Sequence, residues 1–269
     1  MHFVRGHAQL ITSIENEGAR LHVAVDSVDN AEELPALLLW PNGSASLRVW
    51  DHLVPRLRHR FRMIRVDIRG VGQSLAAPAP DDDDSQFDFE VYARDARAVL
   101  DALDIETCHV WSQSWGSRPA IVFCARYAER VFSAALYAAN LDPPDVPKQR
   151  EGSKLAAERQ QAAGIEVPPA PDGMHDHANP DTVPRAMQAL RRFELASVID
   201  DLTMPVLIGT GSLDPNLVSS RTIAKRLPNA SLSVLQDVGH NGILERPDVA
   251  LEEFLRFHDD IGTPAGRER

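Results

Sequence analysis

Ser112-Gln113-Ser114-Trp115-Gly116 constrains this chain more than any other stretch, because it joins a short apolar run, 108–111, directly to an amphipathic one, 118–130. A strand that turns straight into a helix brings two backbones almost into contact. Small residues are needed around such a turn, and the middle serine is left to project alone above the sheet. Glycine is usual where Ser112 and Ser117 stand, so the turn departs from the common pattern at two points. A serine in such a turn recurs by chance in many chains. Its weight depends on whether a histidine, a carboxylate and a pair of N–H donors fall at the right places.

The flanking pattern supplies the frame. Alternating segments at 8–15 and 19–28, with Glu17-Gly18 between them, read as an antiparallel hairpin. Ala36–Trp40 is continuously apolar, as a strand buried on both faces is. A short helix is expected over 46–58 and a strand over 61–66. A helix is expected over 87–103, where Phe89, Tyr92, Ala96, Val99 and Leu103 alternate three- and four-residue steps. A further strand is expected at 133–138. This β-α alternation implies an α/β fold, a mostly parallel sheet with helices on both faces. The rhythm breaks after Asn140. Residues 141–196 are rich in Pro, Gln, Ala, Asp and Arg, with helices expected at 154–163 and 182–193, and read as a small cap inserted between core segments 1–140 and 197–269. Alternation then resumes with a strand at 205–209, a helix at 219–227, a strand at Ala230–Leu235 and a last helix at 247–258, and 263–269 should fray.

Composition narrows the partners. A net charge of -11 argues against nucleic acid and anionic membranes, which both need a basic face. A small-molecule substrate fits, and the oligomeric state is left open, with a homodimer as one option. Cys108 and Cys124 lie in apolar segments and read as buried reduced thiols. The first residues have no apolar signal core, and no apolar run approaches about 18 residues, so the expected location is cytoplasmic. No phosphate-cradling glycine loop is present, and no cofactor is expected. His175-Asp176-His177 reads as a short polar loop, not a metal site, because no third ligand follows from spacing. The acidic run 81–84 reads as a solvated loop.

A serine hydroxyl needs a base to take its proton, and the base needs an acid to hold its tautomer. Past the cap, Asp214 follows the strand at 205–209 and His240 follows the strand Ala230–Leu235. Both stand where ligand-handling groups collect, at the C-terminal ends of parallel strands. The order Ser114, Asp214, His240 makes them the candidate nucleophile, acid and base, with Asp237 the nearest competitor for the acid. Two N–H groups should face a developing oxyanion. The candidates are Trp115, directly after the serine, and Gly43 in the loop Pro41-Asn42-Gly43-Ser44, with Ser44 as the alternative donor there. Asn42, Ser44 and Trp115 are the candidate substrate contacts.

Three stretches then carry a resemblance: Asp67-x-Arg69-Gly70-x-Gly72-x-Ser74, the turn at Ser114, and Val238-Gly239-His240 followed by Leu244-Glu245-x-Pro247. With these the chain resembles the α/β-hydrolase superfamily over 36–139 and 204–261. Within it, Leu47-Arg48-Val49-Trp50-Asp51 and the C-terminal third are similar to 3-oxoadipate enol-lactonases and related esterases. Pro41-Asn42-Gly43 and the stretch 99–105 resemble zearalenone-type lactone hydrolases. Those enzymes take their acid from a glutamate after the strand following the turn; Ala138-Ala139-Asn140 stands there, which returns the role to Asp214. The resemblance implies a serine esterase or lactonase working through an acyl-enzyme.

Ser-x-Ser-x-Gly with this oxyanion loop also resembles cofactor-free 2,4-dioxygenases of the hydroxy-oxoquinoline type. Those rely on a His-Asp dyad, carry a histidine where this chain has Trp115, and would draw their acid from near Asp142. Outside catalysis, the fold also hosts ligand receptors. Haloalkane dehalogenases and epoxide hydrolases need an aspartate at the turn, and Ser114 argues against both.

Overall fold

The run Ala36–Trp40 is buried along its whole length, because helices cover both faces of the sheet it runs through. The computed structural model describes residues 7–28, 34–80 and 82–262. Its eight strands are β1 (His7–Asn16), β2 (Ala19–Val28), β3 (Ala36–Trp40), β4 (Arg62–Val66), β5 (Cys108–Gln113), β6 (Val131–Tyr137), β7 (Val206–Gly211) and β8 (Ala230–Leu235). They form one sheet in the order β1-β2-β4-β3-β5-β6-β7-β8. The pairs β1–β2 and β2–β4 are antiparallel and the others parallel. The hairpin turns on Glu17 and Gly18, both at positive φ (47° and 75°), the backbone that a two-residue turn between twisted strands requires.

The helices are α1 (Val54–Leu57), α2 (Phe89–Ala102), α3 (Ser117–Arg126), α4 (Val146–Ala162), α5 (Thr182–Met187), α6 (Leu217–Arg226), α7 (Gly242–Glu245) and α8 (Pro247–Ile261). One face of the sheet packs Leu38, Val110, Leu136 and Ile208 with Phe89, Tyr92 and Val99 of α2 and Ile121 of α3. The other packs Leu37, Leu39, Met63, Trp111 and Leu207 with Leu251 and Phe254 of α8, where Trp111 stacks on Phe254 at 4.2 Å. Strand alternation sends neighbouring leucines of β3 into different layers. The start of α2 is fixed by Asp88, whose side chain accepts the Glu90 N–H at 2.8 Å.

Several expected elements differ in extent. The helix expected over 46–58 is a 3-10 turn, Leu47–Trp50, followed by α1, because Pro55 starts a helix but cannot continue one. The helix expected over 182–193 is α5 followed by the 3-10 turn Gln188–Arg191. The helix expected at 154–163 starts well before that, at Val146, with the Asp145 side chain accepting the Lys148 N–H. The short α7 was not expected.

Asp82 and Asp83 are exposed, as expected of a solvated loop, but Asp84 has ion-pair partners the sequence did not point to. Its carboxylate binds Arg185 at 2.6 Å and Arg192 at 2.8 Å, tying the loop before α2 to the segment between β6 and β7. The Arg185 hydrogen bond holds that carboxyl below its usual range. Asp81 and residues 263–269 lie outside the described residues. Cys108 and Cys124 are free and buried, and burial pushes the Cys108 thiol up to about 12. No helix among the described residues is long and apolar enough to cross a membrane.

Candidate active site

Between β5 and α3 the backbone passes through a left-handed conformation at Ser114, with φ of 57°. Such a residue with a side chain costs on the order of 1–3 kcal/mol, so its surroundings must hold it. Two contacts do so. A Cβ on Gly116 would lie 2.0 Å from the Pro41 carbonyl oxygen, so only glycine lets the turn press against the loop after β3. Beneath it, the Ser112 hydroxyl donates to Ser117 Oγ at 3.0 Å, and Ser117 donates to the Tyr137 carbonyl oxygen at 2.9 Å. The two departures from glycine are therefore one feature, a buried hydroxyl pair that pins the turn to β6.

Ser114 Oγ lies 2.5 Å from His240 Nε2, and His240 Nδ1 lies 3.0 Å from Asp214 Oδ2. Asp214 is buried, and its other oxygen accepts the Asn216 N–H at 3.0 Å. A carboxylate facing Nδ1 keeps the proton there and leaves Nε2 as the acceptor toward the serine. Asp237, the competing acid, pairs instead with Arg159 at 2.7 Å. Asp142 is exposed, and its carbonyl oxygen accepts from Arg118.

The loop carrying His240 is held from three sides. Gln113 Nε2 donates to the His240 carbonyl oxygen at 2.8 Å, linking the residue before the serine to the imidazole. The His240 N–H donates to Ser153 Oγ of α4 at 3.2 Å, and Ser153 donates to Glu245 at 2.7 Å. Glu245 also accepts the Gly239 and Asn241 N–H groups. Behind Asp214, Asn216 donates to the Ala138 carbonyl oxygen and accepts from Asn140 and Gln149.

Ser114, His240, Asn42, Gly43, Ser44 and Trp115 all line one cavity of about 610 Å³, with Asp214 behind the imidazole. Trp115 is half-buried. Its ring meets Phe89 edge-on at 5.4 Å and Tyr92 at 5.8 Å, so it belongs to the core and to the cavity wall at once. A Cβ on Gly43 would lie 3.0 Å from Trp115 Cβ and 3.3 Å from Met187 Sδ, which keeps that loop close. Ser44 sits at φ 58°, and its carbonyl oxygen accepts from His175 Nδ1 at 2.9 Å. His177 Nδ1 accepts the Gly72 N–H at 3.0 Å. Each ring of the His175-Asp176-His177 stretch thus has its own partner. Among the described residues no group of three His, Cys, Asp or Glu side chains converges as a metal site would.

Gln113, Ser153, Asn216, Asn140 and Arg118 were not singled out in the sequence. A lone amide or hydroxyl carries no spacing signal; Glu245 alone was flagged, through Leu244-Glu245-x-Pro247. The Asp67-x-Arg69 motif has a supporting place. Asp67 accepts from the Leu47 and Gln73 N–H groups and contacts His22 Nδ1, while Arg69 forks onto Asp95 at 2.9 and 2.7 Å.

Comparison with known proteins bears on the fold and the family. Residues 35–179 match the family model for the alpha/beta hydrolase fold. The chain is 23% identical over 280 residues to 3-oxoadipate enol-lactonase 1 of Acinetobacter baylyi, covering 95% of this chain and 98% of that protein. It is 24% identical over 233 residues to RutD of Caulobacter sp. (strain K31), a protein named for carbamate hydrolysis, covering 77% and 84%. The solved enol-lactonase of Burkholderia xenovorans LB400 superposes with a TM-score of 0.73 at 22% identity, covering 92% of this chain and 99% of that one.

Proposed function

The chain belongs to the alpha/beta hydrolase fold family, and on that premise we propose that it is a serine hydrolase cleaving a small carboxylic ester or lactone. One observation carries the reading. Ser114 Oγ, the His240 ring and the buried Asp214 carboxylate follow one another at 2.5 and 3.0 Å on the edge of a cavity large enough for a small molecule.

In this reading His240 Nε2 takes the Ser114 proton as Oγ attacks the carbonyl carbon. Asp214 stabilises the imidazolium that forms. The carbonyl oxygen becomes an oxyanion, which accepts from the Trp115 and Gly43 N–H groups; the Gly43 N–H has no other partner among the described residues. Collapse breaks the bond to the leaving oxygen, which receives the proton from His240, and Ser114 is left acylated. Water, losing its proton to His240, attacks the acyl carbon. Collapse then returns a proton to Ser114 Oγ and releases the acid. The segment between β6 and β7 acts as the cap, with Val146, Gln149, Met187 and Leu190 forming the roof over Ser114.

The test is fluorophosphonate labelling together with turnover of 4-nitrophenyl esters and lactones. Ser114 should be labelled, and Ser114→Ala should lose on the order of 10⁴-fold in kcat or more. Near-wild-type turnover in Ser114→Ala would remove the serine from the chemistry and leave a His-Asp base acting alone. Absent labelling and absent turnover would instead favour a binding role.

A further inference from the structure

Arg118 is a cation in a place where water is scarce; the Asp142 carboxylate acts on it through space, but no ion pair forms between them. It stands on the first turn of α3 and is 5% exposed. The other buried arginines are paired: Arg65 with Asp26 and Asp51, Arg69 with Asp95. Arg118 forms no ion pair among the described residues. Its hydrogen bond runs from Nη2 to the Asp142 backbone carbonyl oxygen at 2.5 Å, while the Asp142 side chain is exposed. Arg118 lines the same cavity as Ser114.

The cavity's charge points the same way. No aspartate or glutamate lines it; its titratable groups are Arg118, Arg150 and His240. In a chain of net charge -11, the two arginines place positive charge on the lining of this cavity, while His240 is matched by Asp214 behind it. Burial pushes the Arg118 guanidinium down to about 10, as expected of a cation taken from water and only partly compensated. An anion supplied by a ligand offsets that cost, and the planar guanidinium suits a carboxylate in particular.

Resting on the serine-hydrolase reading, we propose that Arg118 recognises a carboxylate on the substrate, so that the ester or lactone cleaved at Ser114 is an anionic one. Arg150, exposed on α4 at the rim and without an ion pair among the described residues, adds to the field that draws such a substrate in.

The experiment compares two esters of matched shape. One is mono-4-nitrophenyl adipate, whose chain is too long for fast intramolecular attack by its own carboxylate. The other is 4-nitrophenyl 6-methylheptanoate, in which a branched methyl pair replaces the carboxylate. The wild-type kcat/KM should favour the anionic ester by about tenfold or more, mainly through KM, as a charge-assisted hydrogen bond implies. Arg118→Gln should collapse that ratio to near unity, and Arg118→Lys should recover part of it. Arg221→Gln, on the exposed side of α6, should keep the wild-type ratio. A wild-type ratio near unity, or a wild-type ratio in Arg118→Gln, overturns the proposal while leaving Ser114 hydrolysis intact. Should both Arg118 variants fail to fold, the wild-type preference decides alone. If neither ester turns over and Ser114 is not labelled, the hydrolase reading falls. Calorimetric binding of monomethyl adipate to Ser114→Ala protein then decides for Arg118. Binding abolished by adding Arg118→Gln supports it; absent or unchanged binding overturns it.

Discussion

Helices α2 and α4 belong to opposite sides of the candidate site and are built on opposite principles. Below the turn, α2 buries Phe89, Tyr92, Ala96, Val99 and Leu100, an apolar stripe whose contribution scales with the area it removes from water. Above it, α4 buries Gln149, Gly152, Ala156 and Gln160 at the same helical spacing, with hardly any apolar surface. What α4 offers is close approach and hydrogen bonds. A Cβ on Gly152 would lie 2.1 Å from the Leu213 carbonyl oxygen, one residue before Asp214. Gln160 Nε2 donates to the Asp237 carbonyl oxygen at 2.7 Å, and Ser153 accepts the His240 N–H. One helix makes the molecule stable; the other fixes where two members of the candidate triad stand.

The sharpest break in that comparison is Leu100→Ala, fully buried in α2. It should cost about 3 kcal/mol of stability through lost burial and the cavity left behind. Urea unfolding measures this, and kcat on the best ester should stay within about twofold where the protein is folded. A large kcat loss with unchanged stability would erase the distinction.

Gly152→Val should do the reverse. Pushing α4 off the Leu213 carbonyl displaces Asp214, and a shift of about 1 Å at a catalytic group can cost about 100-fold in kcat. Steady-state kinetics beside a thermal melt checks this. Unchanged kcat would mean that α4 does not set the Asp214 position.

The acid sensitivity of the fold should lie in the core and not at the site. His109 and His258 are buried against one another, Nε2 to Nε2 at 3.3 Å, with His109 Nδ1 on Ser133. Burial pushes the His109 imidazole down to about 4 and lowers His258 as well. The unfolded chain therefore takes up protons at higher pH than the folded one, so this contribution is full above about pH 6.5 and is lost as pH falls toward 4. The loss should be on the order of 2 kcal/mol by pH 4.5. Urea midpoints for the wild type and His109→Asn across that window measure it, with a shallower slope expected in the variant. Equal slopes would refute the assignment.

The smallest effect should be Gln160→Ala. Losing one buried hydrogen bond to a backbone carbonyl should cost about 1 kcal/mol. If it lowers kcat as much as Gly152→Val, polar contacts rather than close approach govern the roof.

The same contrast explains what could be read from the sequence. The strands and α2 were legible because burial by area leaves a period: unbroken runs such as Ala36–Trp40, and Phe89, Tyr92, Ala96, Val99 on one face. Ser114, Asp214 and His240 were legible as a set because chain order and strand ends restrict where such groups stand, and the structure brings them within hydrogen-bonding distance. The first half of α4 was not, since Pro147, Gln149 and Gly152 give no apolar repeat. Asp84 looked solvated because its partners, Arg185 and Arg192, are about a hundred residues away in the chain. Arg118 is only the first residue of the amphipathic run 118–130 in the sequence. Its meaning depends on its burial without an ion pair, and only the folded chain reveals that.

The hydroxyl pair beneath the turn gives this protein a preferred order of change. Ser112 can become glycine while Ser117 keeps its bond to the Tyr137 carbonyl oxygen. Removing the Ser117 hydroxyl first strands a buried Ser112 hydroxyl with only the Ala135 carbonyl oxygen at 3.4 Å. The route from this turn to the all-glycine form is therefore directional, passable through one single substitution and obstructed through the other. Anyone redesigning this turn, or grafting one from a relative, inherits that sequence of steps.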